Sequence, residues 1–232
     1  PRYPHVARGE DSALVVALSK GRTVKALVPL LARAGFAASA LAQGDRSLIR
    51  EVDGSGEHPA LRCLMLKPDD VPTYVEHGAA DLGVCGRDVL RERESDLLVP
   101  LDLGIGRCRM VVAAPAGART DLDMPRVATK YPRTAAAYFA AKRVQAEIIT
   151  LSGSVELAPL AGLADCIVDL VETGETLRQN GLEIVAEVQT VSTVLAVNRA
   201  ALKLRRAEIG ALVARLSTAV HEAPPSAEPA AG

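Results

Sequence analysis

The sequence predicts an α/β protein of two lobes, each built on a mostly parallel sheet, with a ligand site in the cleft between them. Three observations carry this prediction. Short apolar runs of strand length alternate with helical patterns along the chain, the trace left by strands covered by helices on both faces. The polar turns LSKGR (18–22), TKYP (129–132), SGS (152–154) and ETGET (172–176) each follow a strand, and open α/β sheets bind ligands at those strand ends. The segment GIGRCR (104–109), with two glycines and two arginines, breaks the alternation and reads as a hinge into a second lobe.

Taken in order, a polar stretch over 1–11, expected to be loose, precedes the strand Leu14–Leu18. Ser19-Lys20-Gly21-Arg22 turns into a helix with Val24, Leu27, Leu30, Leu31 and Ala34 on one face, ended by Gly35. Pro29 lies inside it and is expected to weaken or bend it. Ala40–Asp53 is expected as a β-loop region carrying Arg46 and Arg50. Leu61–Lys67 is a strand. Asp70 is expected to cap the next helix, with Pro72 in its first turn and His77-Gly78 at its end. Asp81–Gly86 is a short strand feeding a short helix from Arg87, and Leu97–Leu101 is the next strand.

Beyond the hinge, Met110–Ala114 and Arg126–Thr129 are strands, Arg133–Arg143 an Ala-rich helix, Ala146–Leu151 a strand and Glu156–Leu163 a short helix. Cys166–Val171, Ile184–Gln189 and Val191–Val197 are the remaining strands. Arg199–Val220 reads as one long amphipathic helix, with Leu202, Ile209, Leu212, Val213, Leu216 and Val220 on its stripe. The Pro/Ala/Glu-rich tail over 222–232 is expected to be disordered.

Composition narrows the function. Hydrophobic residues make up 49% of the chain and charged residues 24%, enough for a full core. Aromatics are 3% with no Trp, which argues against single-stranded nucleic acid held by base stacking. A net charge of −1 leaves no general basic footprint for DNA or RNA, so an anionic ligand must be met by a local site. Cys63, Cys85, Cys108 and Cys166 are far apart and sit among apolar residues, so structural zinc is not expected. No leader-like segment and no apolar stretch of membrane-spanning length is present, and a reducing, cytoplasmic setting is expected.

The stretch Cys166–Asn180 (CIVDLVETGETLRQN) carries the chemistry. A buried strand feeds a polar loop that opens a helix. The first N–H groups of a helix have no intrahelical partner and suit a phosphate. Thr173 and Thr176 add hydroxyls, Gly174 lets the backbone come close, and Asp169 and Glu172 could accept hydrogen bonds from sugar hydroxyls. An ordinary turn with Thr as its N-cap would leave the same trace. LSKGR repeats the strand–turn–helix pattern with two cations, Lys20 and Arg22.

Together these turns resemble the ATP phosphoribosyltransferase family. The matching stretches are LSKGR (18–22), DLGVCGRDVL (81–90), RVATKYPRTAAAYF (126–139) and LSGSVELAPLAGLADCIVDLVETGETLRQNGL (151–182). The resemblance spans nearly the whole chain apart from both termini and is similar to the short, catalytic-only form. It implies a fold like type II periplasmic binding proteins, with lobe I over 1–103 and 190–221 and lobe II over 104–189. It implies that adenine N1 of ATP displaces pyrophosphate from phosphoribosyl pyrophosphate, with Mg²⁺ riding on the substrate phosphates and no metal ligand assigned on the chain. The same resemblance implies an assembly: a homodimer, joined by a regulatory subunit related to histidyl-tRNA synthetase.

By the same resemblance, the donor would be held by Asp169 and by the loop Glu172, Thr173, Gly174, Glu175, Thr176 and Leu177, with Ser152, Gly153, Ser154 and Glu156 alongside. Lys20, Arg22 and Arg46 would act on the leaving pyrophosphate or on ATP phosphates. Gly21, Thr129, Lys130 and Tyr131 would line the ATP pocket. Two other functions fit the same features: a non-catalytic binder of this fold, or a phosphoribosyltransferase for another base.

Overall fold

The computed structural model describes residues 13–42, 47–54, 59–119 and 122–222. The chain divides into two compact units. Unit 1 takes the chain up to Gly106 and again from Ser192, and unit 2 takes Arg107–Val191. The crossings fall a few residues beyond the expected 103/104 and 189/190 positions. The reason is local: Leu103 N–H donates to Thr193 O at 3.0 Å and Thr193 N–H donates to Ile105 O at 3.0 Å, which keeps Leu103–Ile105 on the unit 1 sheet.

Unit 1 contains β1 (Leu14–Ser19), β2 (Ile49–Val52), β3 (Leu61–Leu66), β4 (Leu82–Gly86), β5 (Leu98–Asp102) and β11 (Thr193–Val197). Their order in the sheet is β2-β3-β1-β4-β11-β5. Helices α1 (Arg22–Arg33) and α8 (Arg206–His221) cover one face, where Leu27, Leu30, Ile209, Leu212 and Leu216 are buried against Leu14, Val16 and Leu18. On the other face lie α2 (Val71–Glu76) and α3 (Arg87–Glu92), with Val71, Val75 and Leu90 against Ala17, Val194 and Ala196.

Unit 2 contains β6 (Cys108–Pro115), β7 (Arg126–Thr129), β8 (Glu147–Thr150), β9 (Cys166–Val171) and β10 (Leu182–Val191), in the order β10-β6-β9-β7-β8. Strand alternation splits its core in two. Met110, Val112 and Val168 face α4 (Pro132–Ala141), packing on Tyr131, Ala135 and Phe139. Val111, Ala113, Ile167 and Val171 face α5 (Leu157–Leu160) and α6 (Glu175–Gln179), packing on Ala158 and Leu177.

Several expectations are corrected. The sheets are mixed, not mostly parallel: only β3-β1-β4 and β9-β7-β8 are parallel runs. β2 and β3 are joined by too short a connection for a parallel crossover and pair antiparallel. β11 enters beside the end of β4, with Thr193 opposite Gly86, and so runs against it. Ala38–Ala42 is a 3₁₀ turn where a β-loop region was expected. Asp70 makes no side-chain cap bond, because a 3₁₀ turn over Pro68–Asp70 leads directly into α2.

α5 is a single turn, shorter than Glu156–Leu163. The expected long C-terminal helix is two: α7 (Arg199–Leu204) and α8, broken at Arg205 with φ −124 and ψ 38. The break turns the Arg205 guanidinium inward, where Nη1 donates to Ala13 O at 3.1 Å and meets Asp81 Oδ2 at 3.4 Å. Arg46, the 1–11 stretch and the tail from 223 onward lie outside the described residues. No helix among the described residues is long and apolar enough to cross a membrane.

Candidate active site

In unit 2 three loops leave the sheet at one edge. β9, β7 and β8 are parallel, and Thr129 lies level with both Val168 and Thr150. Their following loops, Glu172–Gly174, Lys130–Tyr131 and Leu151–Ser154, therefore emerge together at the carboxyl ends of the strands. Sequence order places four nominated groups there, and burial and bonding sort them by role.

The β9–α6 loop turns on Gly174, which has φ +78 and ψ 0. A Cβ there would meet only Val171 Cγ1 at 3.8 Å and Ile184 Cδ1 at 3.9 Å, so the demand for glycine comes from the left-handed backbone and not from crowding. Thr173 Oγ1 accepts from Glu175 N–H at 3.4 Å. Glu175 is held on its own helix by Arg178 at 2.7 Å and Gln179 at 2.9 Å; these bonds, the Arg178 one first, keep its carboxyl below the usual range. Thr176 is exposed, while the Leu177 side chain is 4% exposed and packs in the core. Leu177 therefore anchors the loop, and what it can offer a ligand is backbone.

Asp169 is half-buried near the end of β9, on the α5 side of the sheet. Burial pushes its carboxyl above the usual range; Leu170 N–H, donating to Oδ1 at 2.8 Å, pulls it back, the Glu156 carboxylate raises it and Lys130 lowers it. Those influences put Asp169, Glu156 and Lys130 in one electrostatic neighbourhood. Glu156 stands at the N-cap position of α5 with no side-chain cap bond, so it is not spent on its helix. Ser152, Gly153 and Ser154 are exposed. Ser154 holds φ +48, an uncommon value for a residue other than glycine and one that marks local strain at this loop.

Thr129 and Tyr131 do structural work. Thr129 is fully buried; its Oγ1 donates to Val168 O at 2.6 Å and accepts from Tyr131 N–H at 2.9 Å. Tyr131 is 7% exposed and packs against the core beneath α4. Together they fix the turn that presents Lys130.

In unit 1 the parallel strands β3, β1 and β4 also end at one edge. Lys20, Gly21 and Arg22 are exposed there, with Lys20 N–H bound to Leu66 O at 2.9 Å. Gly21 is the N-cap of α1 at φ +84, ψ −129, a conformation for glycine only. The first turn of α1 has no acidic residue. Cations at a helix N-terminus oppose the dipole by about 0.3–1 kcal/mol each, an arrangement that an anion placed there would relieve.

Sequence reading missed a polar knot at this edge. Asp102 Oδ2 accepts from Ser192 Oγ at 2.5 Å and from Arg87 at 3.3 Å, while Oδ1 accepts from Gly104 N–H at 2.9 Å. Burial alone would raise the Asp102 carboxyl, but these bonds hold it below the usual range. The knot ties both chain crossings to unit 1. Its only sequence signal is an aspartate just before GIGRCR. Arg109 was also passed over: it lies opposite Val171 in register, next to the loop, with Nη1 3.7 Å from Glu187.

Comparison with known proteins fits this geometry. The periplasmic aliphatic sulphonate binding protein SsuA from Escherichia coli superposes with TM-score 0.58 at 14% identity, covering 90% of this chain and 72% of that one. The chain thus has the α/β fold of type II periplasmic binding proteins. A model of the family described as ATP phosphoribosyltransferase matches residues 67–218. ATP phosphoribosyltransferase of Sorangium cellulosum is 58% identical over 207 residues, 89% of this chain and 95% of that protein. That of Methylococcus capsulatus is 49% identical over 208 residues, 89% and 96% of the two. A structure of the ATP phosphoribosyl transferase (HisG:HisZ) complex from Thermotoga maritima matches with TM-score 0.75 at 36% identity, covering 90% of this chain and all of that one. The chain belongs to the ATP phosphoribosyltransferase family.

Proposed function

We propose that the protein is the catalytic subunit that condenses ATP, through adenine N1, with 5-phosphoribosyl 1-pyrophosphate, giving N1-(5-phosphoribosyl)-ATP and pyrophosphate in the first step of histidine biosynthesis. The observation that carries this reading is the β9–α6 loop: a left-handed Gly174, exposed Thr173 and Thr176, and the raised carboxyl of Asp169 at one sheet edge. Backbone N–H groups of the loop take the 5-phosphate. Asp169 and Glu172 accept hydrogen bonds from the ribose hydroxyls, and the Ser152–Ser154 loop with Glu156 flanks the sugar.

Lys20, Arg22 and Arg46 meet phosphates of the leaving group or of ATP, and Gly21 and Lys130 line the nucleotide. Breaking the bond to pyrophosphate leaves positive charge on the sugar and negative charge on the leaving group, which rewards fixed cations near the latter. Adenine N1 has a lone pair, so no strong general base is demanded. Mg²⁺ supplies further charge neutralisation on the pyrophosphate oxygens.

A homodimer and a histidyl-tRNA-synthetase-like regulatory subunit belong to the same proposal; the named Thermotoga complex supports the second. Four free cysteines go with a cytoplasmic setting. The test is to mix protein, ATP, donor and Mg²⁺, with and without the regulatory subunit, and follow the adduct by absorbance. Product is expected, and is expected to disappear on chelation of Mg²⁺. No product under any condition would overturn the assignment, and product from free adenine in place of ATP would redirect it to another base.

A further inference from the structure

We propose that unit 2 holds a second small-molecule site, on the α4 face and away from the donor loop, which takes a compact aryl or branched-alkyl monocarboxylate. A cavity of about 270 Å³ opens between the C-terminal part of α4 and the sheet, walled by Val112, Ala114, Phe139 and Cys166. It lies at the opposite end of the parallel strands from the loops described above. Cys166 is the first residue of β9 and the loop follows Val171, about 17 Å further along at the rise of an extended strand. Its volume is just under the usual range for drug-sized ligands, which sets the size of the occupant.

One irregularity of the sheet shapes this cavity. In the β10–β6 ladder Ile184 pairs with Ala113 and Ala186 with Val112, leaving Val185 as an extra residue. Regular alternation would send Val185 and Ala186 to opposite faces, yet both line the cavity. The bulge turns Val185 into the wall, a use of bulges common beside binding sites.

The polar groups at the rim fix the charge of the ligand. Asp165 is already taken: Arg126 binds it at 3.0 Å through Nη2 and at 2.8 Å through its backbone N–H, and these bonds hold its carboxyl below the usual range. Lys142 Nζ stands 4.7 Å from the centroid of the Tyr138 ring, held over the rim by a cation–π contact. The rim therefore presents a positive charge beside apolar walls. Tyr138 lines the same cavity, and its hydroxyl is shut off from water with no partner among the described residues. The ring is held by an edge-on contact with Phe139, centroids 5.3 Å apart, so the hydroxyl is the polar group that faces a ligand here without a partner of its own. Apolar walls with Lys142 and Arg119 among the lining residues match a ligand with one ring or branched chain and a carboxylate.

Titration calorimetry of the full chain with 3-phenylpropionate tests this. Saturable binding is expected, and it should persist in the presence of saturating phosphoribosyl pyrophosphate. Lys142→Met should weaken it by about tenfold, the scale of one charge-assisted hydrogen bond. Lys142→Glu should weaken it further than Lys142→Met does. Ala186→Phe, which fills the cavity, should abolish binding. Lys142 is exposed, so its variants read the site even if the filled variant fails to fold. Absence of saturable binding, unchanged affinity in both Lys142 variants, or displacement by the phosphoribosyl donor would overturn the proposal. None of these readouts depends on turnover, so loss of this site leaves the proposed reaction standing.

Discussion

Gly174 is the residue at which backbone and proposed function meet most closely. Its φ of +78 costs a side chain about 1–2 kcal/mol, while the space around it would admit a Cβ. Gly174→Val should therefore raise the KM for the phosphoribosyl donor by tenfold or so, with Gly174→Asn closer to the parent because Asn tolerates the left-handed region; donor kinetics unchanged in both would remove the loop from the site. Asp169 makes a different prediction. Its raised carboxyl means the folded state holds that proton more tightly than the unfolded chain. Stability is then lost as pH rises from the unfolded value through the folded one, and the full penalty is present above the folded value. Asp169→Asn should raise Tm at pH 7, by an amount that shrinks as pH is lowered, while weakening donor binding. A lower Tm at pH 7 would mean that burial is not what sets this carboxyl. Both residues could be nominated from CIVDLVETGET because an acid near the end of a buried strand and a glycine before a helix suit a sugar phosphate. The sequence could not show that Leu177, Thr129 and Tyr131, nominated beside them, turn inward, since a loop residue and a core anchor look alike in a string.

Among the elements, α2 packs unusually close to β4. A Cβ on Gly83 would stand 2.7 Å from Val75 Cγ2 and 2.8 Å from Val71 Cγ1, both on buried, branched side chains. Gly83→Ala should cost about 1–3 kcal/mol of unfolding free energy in urea, the range for overpacking, with donor KM little changed. In DLGVCG the glycine thus sets a helix-to-strand distance. The α7–α8 break is fastened by a buried pair, Asp81 at 1% and Arg205 at 12% side-chain exposure, with Asp81 Oδ2 also accepting from Val15 N–H at 2.9 Å. Removing one partner leaves a charge behind, so Arg205→Met should destabilise by about 3–5 kcal/mol, and Asp81→Asn together with Arg205→Met by less than Arg205→Met alone. Additive losses in the double variant would show that the two side chains do not stabilise each other. This break was invisible in sequence because Leu202, Ile209, Leu212 and Leu216 keep helical spacing across it. Pro29, conspicuous in sequence, sits within α1 without ending it.

At the scale of the molecule, the alternation of apolar runs and helical patterns was enough for two α/β units and for nearly every strand. Strand direction was not, because an antiparallel partner arriving from a distant part of the chain leaves no local mark; β11 is such a partner. That strand also decides how the protein must be made. β4 and β5 are neighbours in sequence, but in the finished sheet β11 lies between them, hydrogen-bonded to both. A nascent chain that has reached Val191 holds every strand of unit 2 and none of the filler for unit 1. Closing that slot is a late, long-range event, and such contacts are slow to form. Until then β4 and β5 each offer an unsatisfied edge, the kind of surface on which aggregation starts and chaperones act. The unit 1 sheet is thus completed by a strand made after all of unit 2, and yield in the cell should depend on how quickly Thr193–Val197 follows that unit out of the ribosome.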